Sequence, residues 1–208
     1  MNRQVLKEFF KQRDVIVMLF LLIAGLAAIS PHLASWAVWV AIGGGMLGYA
    51  VSEYMIHRFF FHLKPPSNPH FHRLLKRLHY DHHAEPDNGE LLFLPVWYSL
   101  PLIAVVGGIA FGVTGQWVLT LAFTVGVIIY LLGYEWMHLV AHRPVKPITP
   151  WGRYMKRVHL WHHYKNENYW YGVTNPLLDK ALGTYLDEKE AERSTTVKNL
   201  EGRKASPR

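Results

Sequence analysis

The chain has 208 residues, half of them hydrophobic, a net charge of +7 and no cysteine. That length holds one compact domain and little else. The missing thiols exclude disulfides, thiolate metal sites and cysteine nucleophiles, leaving histidine, carboxylates and backbone as possible metal ligands. Thirteen histidines in so short a chain then need an account.

In chain order, the first segment, MNRQVLKEFFKQRD, is basic and runs into apolar sequence without a small-residue cleavage site, so no signal peptide is read. Val5, Leu6, Phe9 and Phe10 share a helical face that excludes Lys7 and Lys11, which predicts a short interfacial helix over residues 1–14. From Asp14 to His57 the only ionisable residues are His32 and Glu53, and a Ser30-Pro31 break separates Val15–Ile29 from Ser35–Met55. A second apolar region, Leu91 to Met137, is interrupted near Gly112–Gln116. At about 1.5 Å per residue each of the four pieces crosses or nearly crosses a ~30 Å hydrocarbon core. The first hairpin could instead be re-entrant, since Val15–Ile29 is short and Gly43-Gly44-Gly45 softens its partner. Lys and Arg occur at 3–13, 58–77 and 143–208, never between the two spans of either hairpin, so all 22 fall on one side. The positive-inside rule makes that side cytoplasmic, with both termini and every histidine except His32. No nucleic-acid partner is expected, and the membrane is a bacterial inner membrane or the endoplasmic reticulum. Asn68-Pro69 and Thr149-Pro150 each read as an N-cap followed by proline at the first helical position, opening helices Pro69–His83 and Pro150–His163. The mixed-charge segment from Asp187 to Arg208 lacks a repeated apolar face and is expected to be a disordered tail. The expected fold is all-α and membrane-embedded, four spans in two hairpins, with residues 15–186 as one membrane-embedded unit and a histidine-rich cytoplasmic helical cap.

Ten histidines fall into four boxes: His57 and His62 after the second span, then His79, His82 and His83; His138 and His142 at the end of the fourth, then His159, His162 and His163. Residues i and i+4 lie about 40° apart around a helix, with i+3 on the other side of the same stripe, so each HxxHH presents three imidazoles on one face. His57 and His62 are five apart, and a helix end or bulge must bring them together. An 80-residue offset relates Arg73, Lys76, Arg77, His79, His82 and His83 to Arg153, Lys156, Arg157, His159, His162 and His163, and His62 to His142. Two halves of hairpin, two-histidine box and HxxHH helix can close a site between them.

Crowded imidazoles without metal would leave many buried nitrogens unpartnered. Imidazole suits Fe, Zn, Cu and Ni alike, and ten histidines exceed the coordination of one ion and suit two. Glu53 and Glu135 precede His57 and His138 by one turn and are expected to orient imidazoles by hydrogen bonds, ligation being the lesser possibility. Asp81 points away from the histidine face. His32, His70 and His72 read as ordinary polar residues, and Arg73, Arg77, Arg153 and Arg157 either meet anionic headgroups or simply follow the topology.

The run from Glu53 to Ser67, EYMIHRFFFHLKPPS, followed by HxxHH, HxxxH and HxxHH in that order, resembles the fatty acid hydroxylase/sterol desaturase superfamily over residues 45–185, and within it fatty acid 2-hydroxylase catalytic domains. Tyr171-Gly172-Val173-Thr174 and Leu182-Gly183-Thr184 resemble the end of that domain. The resemblance implies a di-iron monooxygenase with O2 as co-substrate, the ten boxed histidines as ligands and a lipid acyl chain as substrate, zinc being able to replace iron in a purified sample. Eukaryotic members of the family it resembles commonly carry a fused cytochrome b5 domain, for which this chain has no room, so a separate cytochrome b5- or ferredoxin-like electron donor is expected. Sister reactions of such a centre are sterol or lipid desaturation and carotenoid-ring hydroxylation. A membrane metal-handling protein is the reading from another class, disfavoured because the spans lack an ionisable pathway.

Overall fold

A computed structural model describes residues 3–202; parts of the expected N-terminal helix (1–2) and of the C-terminal tail (203–208) lie outside the described residues. The described residues form ten α-helices and no strand: α1 Arg3–Lys11, α2 Arg13–Ile29, α3 Trp36–Ile56, α4 Pro69–Leu75, α5 Asp81–Ala84, α6 Gly89–Leu92, α7 Val96–Thr114, α8 Trp117–Ala141, α9 Pro150–Tyr164 and α10 Leu177–Ala181. They divide into two compact units, each drawn from both halves of the repeat.

One unit, Leu6–Val51 with Leu94–Trp136, is the apolar one. Three helical stretches are long and apolar enough to cross a membrane: Arg13–His32, Gly89–Thr114 and Trp117–Ala141. α3 is equally long, but glycines, tryptophans, tyrosines and Glu53 dilute its apolar content. Its glycines allow close packing: a Cβ on Gly45 would lie 2.0 Å from the Phe123 carbonyl oxygen, and one on Gly126 2.0 Å from that of Ile42. α3 and α8 therefore touch backbone to backbone, as small residues permit between apolar helices. Ile29, Val38, Ile42, Ala122 and Val125 form the core around this contact. Gly115, at φ +63°, ends α7 by donating its N–H to Phe111 (2.7 Å), turning the chain into α8. Phe20, Ile23, Trp36, Leu47, Val105, Ile109 and Val113 are exposed, which suits a hydrocarbon surround rather than water.

The other unit, Ser52–Phe93 and Met137–Arg208 with the first few residues of the chain, carries the boxed histidines. Both cap readings hold: Asn68 Oδ1 accepts from the N–H groups of His70 and Phe71, and Thr149 Oγ1 from that of Gly152. Two five-residue π-turns interrupt the helices, His57–Phe61 and Lys76–Tyr80. In the first, the His62 N–H bonds the His57 carbonyl at 3.2 Å. An i to i+5 bond places residues five apart on one face. In the second half His142 N–H bonds His138 O at ordinary helical spacing, 3.3 Å. The extra residue of the first box is thus absorbed by a π-turn.

Asp187–Gly202 differs from the disordered tail expected there. Ala191 is buried beside Val158 and Trp170, and Leu200 beside Leu75 and Tyr80. The anchors are isolated apolar residues in irregular chain, so no periodicity announces them.

Candidate metal centre

Ten histidines that the sequence sorts into four boxes are regrouped by the fold into two sets of five. One set is His57, His62, His79, His83 and His162; the other is His82, His138, His142, His159 and His163. Within each set one nitrogen per ring can be chosen so that all lie within 4.8 Å of one another, and every ring is buried. In both HxxHH helices the i and i+4 histidines serve one set while the i+3 histidine, about 60° to the other side of the stripe, serves the other.

The nitrogens approach as metal ligands do. His62 Nε2 lies 2.8 Å from His79 Nε2 and 3.0 Å from His162 Nε2, and His79 Nε2 lies 3.2 Å from His57 Nε2. In the other set, His138 and His82 approach to 3.0 Å and His142 and His159 to 2.9 Å. Two nitrogens each ~2.1 Å from one ion and at right angles are about 3.0 Å apart.

Hydrogen bonding alone does not explain these contacts. His57 Nδ1 is 2.5 Å from Tyr171 O, and His162 Nδ1 is 2.7 Å from Tyr169 O. A carbonyl accepts, so both Nδ1 atoms carry the proton and, in neutral rings, both Nε2 atoms present lone pairs. His79 and His62 would then each donate from Nε2, and their two protons would meet across the 2.8 Å that separates them. No set of neutral tautomers satisfies all three contacts, whereas a cation receiving every lone pair does. Burial favours the neutral ring where it acts, pushing His57 down to about 4 and His79, His82, His142, His159 and His163 well below the usual imidazole value. Nδ1 of His82, His142 and His159, and both ring nitrogens of His163, are buried without a hydrogen-bond partner. Each such atom costs about 1–3 kcal/mol, and coordination through one nitrogen of His163 would offset that cost for one of the five. The donor set therefore fits metal ions that take imidazole, iron among them.

Four of the rings are aimed by backbone carbonyls, three of them outside the helices and the fourth on the last residue of α6. Besides Tyr171 and Tyr169, Val197 O accepts from His83 Nδ1 (3.0 Å) and Leu92 O from His138 Nδ1 (2.9 Å). Such bonds fix the tautomer that leaves Nε2 free for a metal. Trp170, buried with φ +60°, lets Tyr169 and Tyr171 on either side of it both serve the same set. Its N–H donates to Thr184 O and its indole N–H to Leu186 O, both at 3.0 Å, holding a conformation that non-glycine residues rarely adopt. Asp179, buried, accepts from the N–H groups of Tyr171 and Gly172, each at 2.8 Å, and from Thr184 Oγ1 at 2.7 Å.

Glu53 and Glu135 act one step further from the rings than direct bonding to imidazole would place them. Glu53 Oε1 accepts from the N–H groups of Val173 (2.7 Å) and Thr174 (2.9 Å), and Oε2 from Thr174 Oγ1 (2.6 Å), so it fixes the loop whose Tyr171 carbonyl meets His57. Glu135 Oε1 accepts from Leu94 N–H at 2.9 Å, two residues after the Leu92 carbonyl that meets His138. A carboxyl group one turn before the box histidine thus holds the N–H two residues beyond the orienting carbonyl in both halves.

The remaining polar residues of the sequence reading are engaged elsewhere. Asp81 pairs with Lys76 at 2.7 Å, and His72 with Glu201 at 2.8 Å. Lys156, the repeat mate of Lys76, donates instead to the carbonyls of Val140, Arg143 and Val145. Arg73, Arg77 and Arg153 bond backbone carbonyls, and Arg157 lies over the Trp161 ring. The four basic residues thus have ordinary structural partners. Tyr169, Trp170, Asp179 and Val197 carry no sequence signal of their own; the one available clue is that Tyr171 opens the segment resembling the family's C-terminal end.

Comparison with known proteins points to one family. The family model described as fatty acid hydroxylase matches residues 42–184. A dihydroceramide fatty acyl 2-hydroxylase of Arabidopsis thaliana is 27% identical over 179 residues, covering 76% of this chain and 65% of that protein. A fatty acid 2-hydroxylase of Mus musculus is 33% identical over 147 residues, covering 70% and 39%. A ceramide very long chain fatty acid hydroxylase of Saccharomyces cerevisiae is 33% identical over 147 residues, covering 68% and 37%. The chain thus spans less than two thirds of each of these relatives. The solved hydroxylase domain of full-length Scs7p superposes with a TM-score of 0.71 at 26% identity, over 87% of this chain and 66% of that one. With a family match extending from α3 through both HxxHH helices to Thr184, the chain belongs to the fatty acid hydroxylase family.

Proposed function

We propose that the chain is an O2-dependent hydroxylase of membrane lipids that holds one iron ion in each five-histidine set. The observation that carries this reading is the convergence of ten buried imidazoles at separations that neutral hydrogen bonding does not satisfy. The named activity of the relatives, acyl 2-hydroxylation, is assigned to it as the regiochemistry, with a fatty acyl chain or a ceramide as substrate. A bound di-iron pair would supply the reduction of O2 with two external electrons and two protons from solvent, one oxygen atom entering a C–H bond and the other leaving as water. Ten neutral imidazoles carry no charge to offset that of the ions. Tyr169, Tyr171, Val197 and Leu92 aim four of the rings, and Glu53, Glu135 and Asp179 hold the backbone that does the aiming.

The apolar helices α2, α3, α7 and α8 are assigned as four spans in two hairpins, α3 being the least apolar of them. The distribution of Lys and Arg puts both termini and the histidine-rich unit on the cytoplasmic side. Trp36, Trp39 and Trp117 are exposed near the ends that lack cations, as interfacial tryptophans are. The two electrons come from a separate carrier of the cytochrome b5 or ferredoxin type.

The reading is tested by measuring metal per chain and lipid products by mass spectrometry after expression of wild type and His163→Ala in a lipid-producing host. Two ions per chain and an acyl chain one oxygen heavier in the wild type alone are expected. A product two hydrogens lighter would move the reaction to desaturation, and a chain without metal would overturn the reading.

A further inference from the structure

Among the carbonyls that aim the histidines, Val197 belongs to a segment that lies beyond the family match, which ends at residue 184. We propose that residues 187–202 form a strap that positions His83 and governs how tightly one of the two metal ions is held. The inference rests on the dimetal reading above and gives a role to the whole segment that carries the Val197 carbonyl.

The strap is fastened at several independent points, all within the histidine-bearing unit. Lys165 binds Glu188 through both its carbonyl and its side chain, and the Lys165 carbonyl accepts from Ser194 N–H at 2.8 Å. Thr196 Oγ1 donates to the buried Glu167 at 2.5 Å. Leu200 is 1% exposed against Leu75 and Tyr80, on the stretch of chain that carries the first HxxHH box. Glu201 pairs with Lys76 at 3.0 Å and with His72 at 2.8 Å. Between the Thr196 and Leu200 anchors, the Val197 carbonyl meets His83 Nδ1 at 3.0 Å. A carbonyl pinned on both sides fixes the ring plane and keeps the proton on Nδ1, so that Nε2 presents its lone pair. Unfastened, the ring would be free to turn and to exchange tautomers.

The effect should be one-sided. His83 belongs with His57, His62, His79 and His162, while the carbonyl serving the other set is Leu92, far from the strap in sequence. Loss of an orienting bond to a ligand typically costs 10–100-fold in metal affinity. Loosening the strap should therefore weaken one ion and leave the other.

The test uses the full chain, purified and loaded with two iron ions, and follows release to a chelator alongside the melting temperature. Leu200→Asp removes the apolar anchor without touching a histidine, and a chain ending at Arg193 removes the part of the strap that carries Thr196, Val197 and Leu200 while keeping Ala191 in its core. Glu201→Lys provides a third, milder release, and Lys189→Ala, an exposed side chain, serves as control. One ion is expected to leave at least tenfold faster in Leu200→Asp and in the shortened chain, with the second within twofold of wild type and an intermediate acceleration in Glu201→Lys. Equal acceleration of both ions in step with a lower melting temperature would make the strap merely structural and overturn the inference. Unchanged release in folded variants would overturn it too, whereas a wild-type chain that binds no iron would overturn the dimetal reading itself.

Discussion

Glu53→Ala is the sharpest test of how the centre is held, because its carboxyl accepts three hydrogen bonds and meets no ligand of the proposed ions. Removing it leaves the N–H groups of Val173 and Thr174 and the Thr174 hydroxyl, all accepted at 2.6–2.9 Å, without their acceptor in a buried site. At about 1–3 kcal/mol for each orphaned group, discounted because the three share one loop, the cost is roughly 3–5 kcal/mol. Against a total stability of about 5–15 kcal/mol that is a large fraction. The loop carries the Tyr171 carbonyl that bonds His57, so metal retention should fall with it, by about 10–100-fold. Glu53→Gln keeps one oxygen for the two N–H groups and offers its amide N–H to the Thr174 hydroxyl, so it should lose about 1 kcal/mol and most of the metal effect should be spared. The assay is thermal unfolding in detergent with metal per chain and chelator-driven release, followed by lipid hydroxylation for variants that still fold. If Glu53→Ala melts with the wild type and keeps its metal, the account of this carboxyl as the support of the Tyr171 carbonyl is wrong.

Asp179→Ala should act on the same loop from its other side, since it frees the Tyr171 and Gly172 N–H groups; metal loss of about tenfold and a lower melting temperature are expected, with Asp179→Asn between it and wild type. Gly45→Leu forces a Cβ to within 2.0 Å of the Phe123 carbonyl oxygen, so the α3–α8 contact must open; thermal unfolding should show a loss of a few kcal/mol, whereas Gly43→Leu, with open space around it, should show little. Stripping the metal with a chelator should lower the melting temperature and restoring it should reverse the loss, because binding to the folded state alone stabilises it. An unchanged melting curve would argue against coordination by the ten histidines.

Much of the architecture is legible in the sequence because it rests on local signals. Asn68-Pro69 and Thr149-Pro150 open helices for the reason the cap chemistry gives, and both HxxHH runs fall on helical chain. The five-residue spacing of His57 and His62 implies a bulge, and a π-turn occupies that place. The second π-turn, Lys76–Tyr80, has no such spacing cue and departs from the straight helix of its repeat mate in α9. What the sequence does not disclose is non-local. Which histidines share a set depends on how two helices face each other, and the orienting groups are backbone carbonyls, which any residue type provides. Val197 and Leu200 lie in a polar segment whose composition reads as disorder, because two or three buried anchors suffice to dock irregular chain and leave no period behind.

The regrouping also explains why the duplication needs both halves. Applying the 80-residue offset to His62, His79 and His83 gives His142, His159 and His163, members of the other set, while His82 and His162 exchange places between sets. Each set thus draws four rings from one half and its fifth from the HxxHH helix of the other. Because His82 and His83 are adjacent in sequence yet serve different sets, as do His162 and His163, one peptide unit on each helix fixes the separation of the two sets. The stacking of His83 on His163, ring centroids 4.2 Å apart and planes inclined by 24°, joins one member of each set at that seam. Two ions held in these sets could not drift apart without bending a helix, and neither half alone can complete a set. On the proposed function, a spacing fixed by rigid helices would suit two ions that act together on one small molecule. The crossed fifth histidine therefore ties each set to the integrity of the whole repeat, a constraint that a separate five-histidine set in each half would not impose.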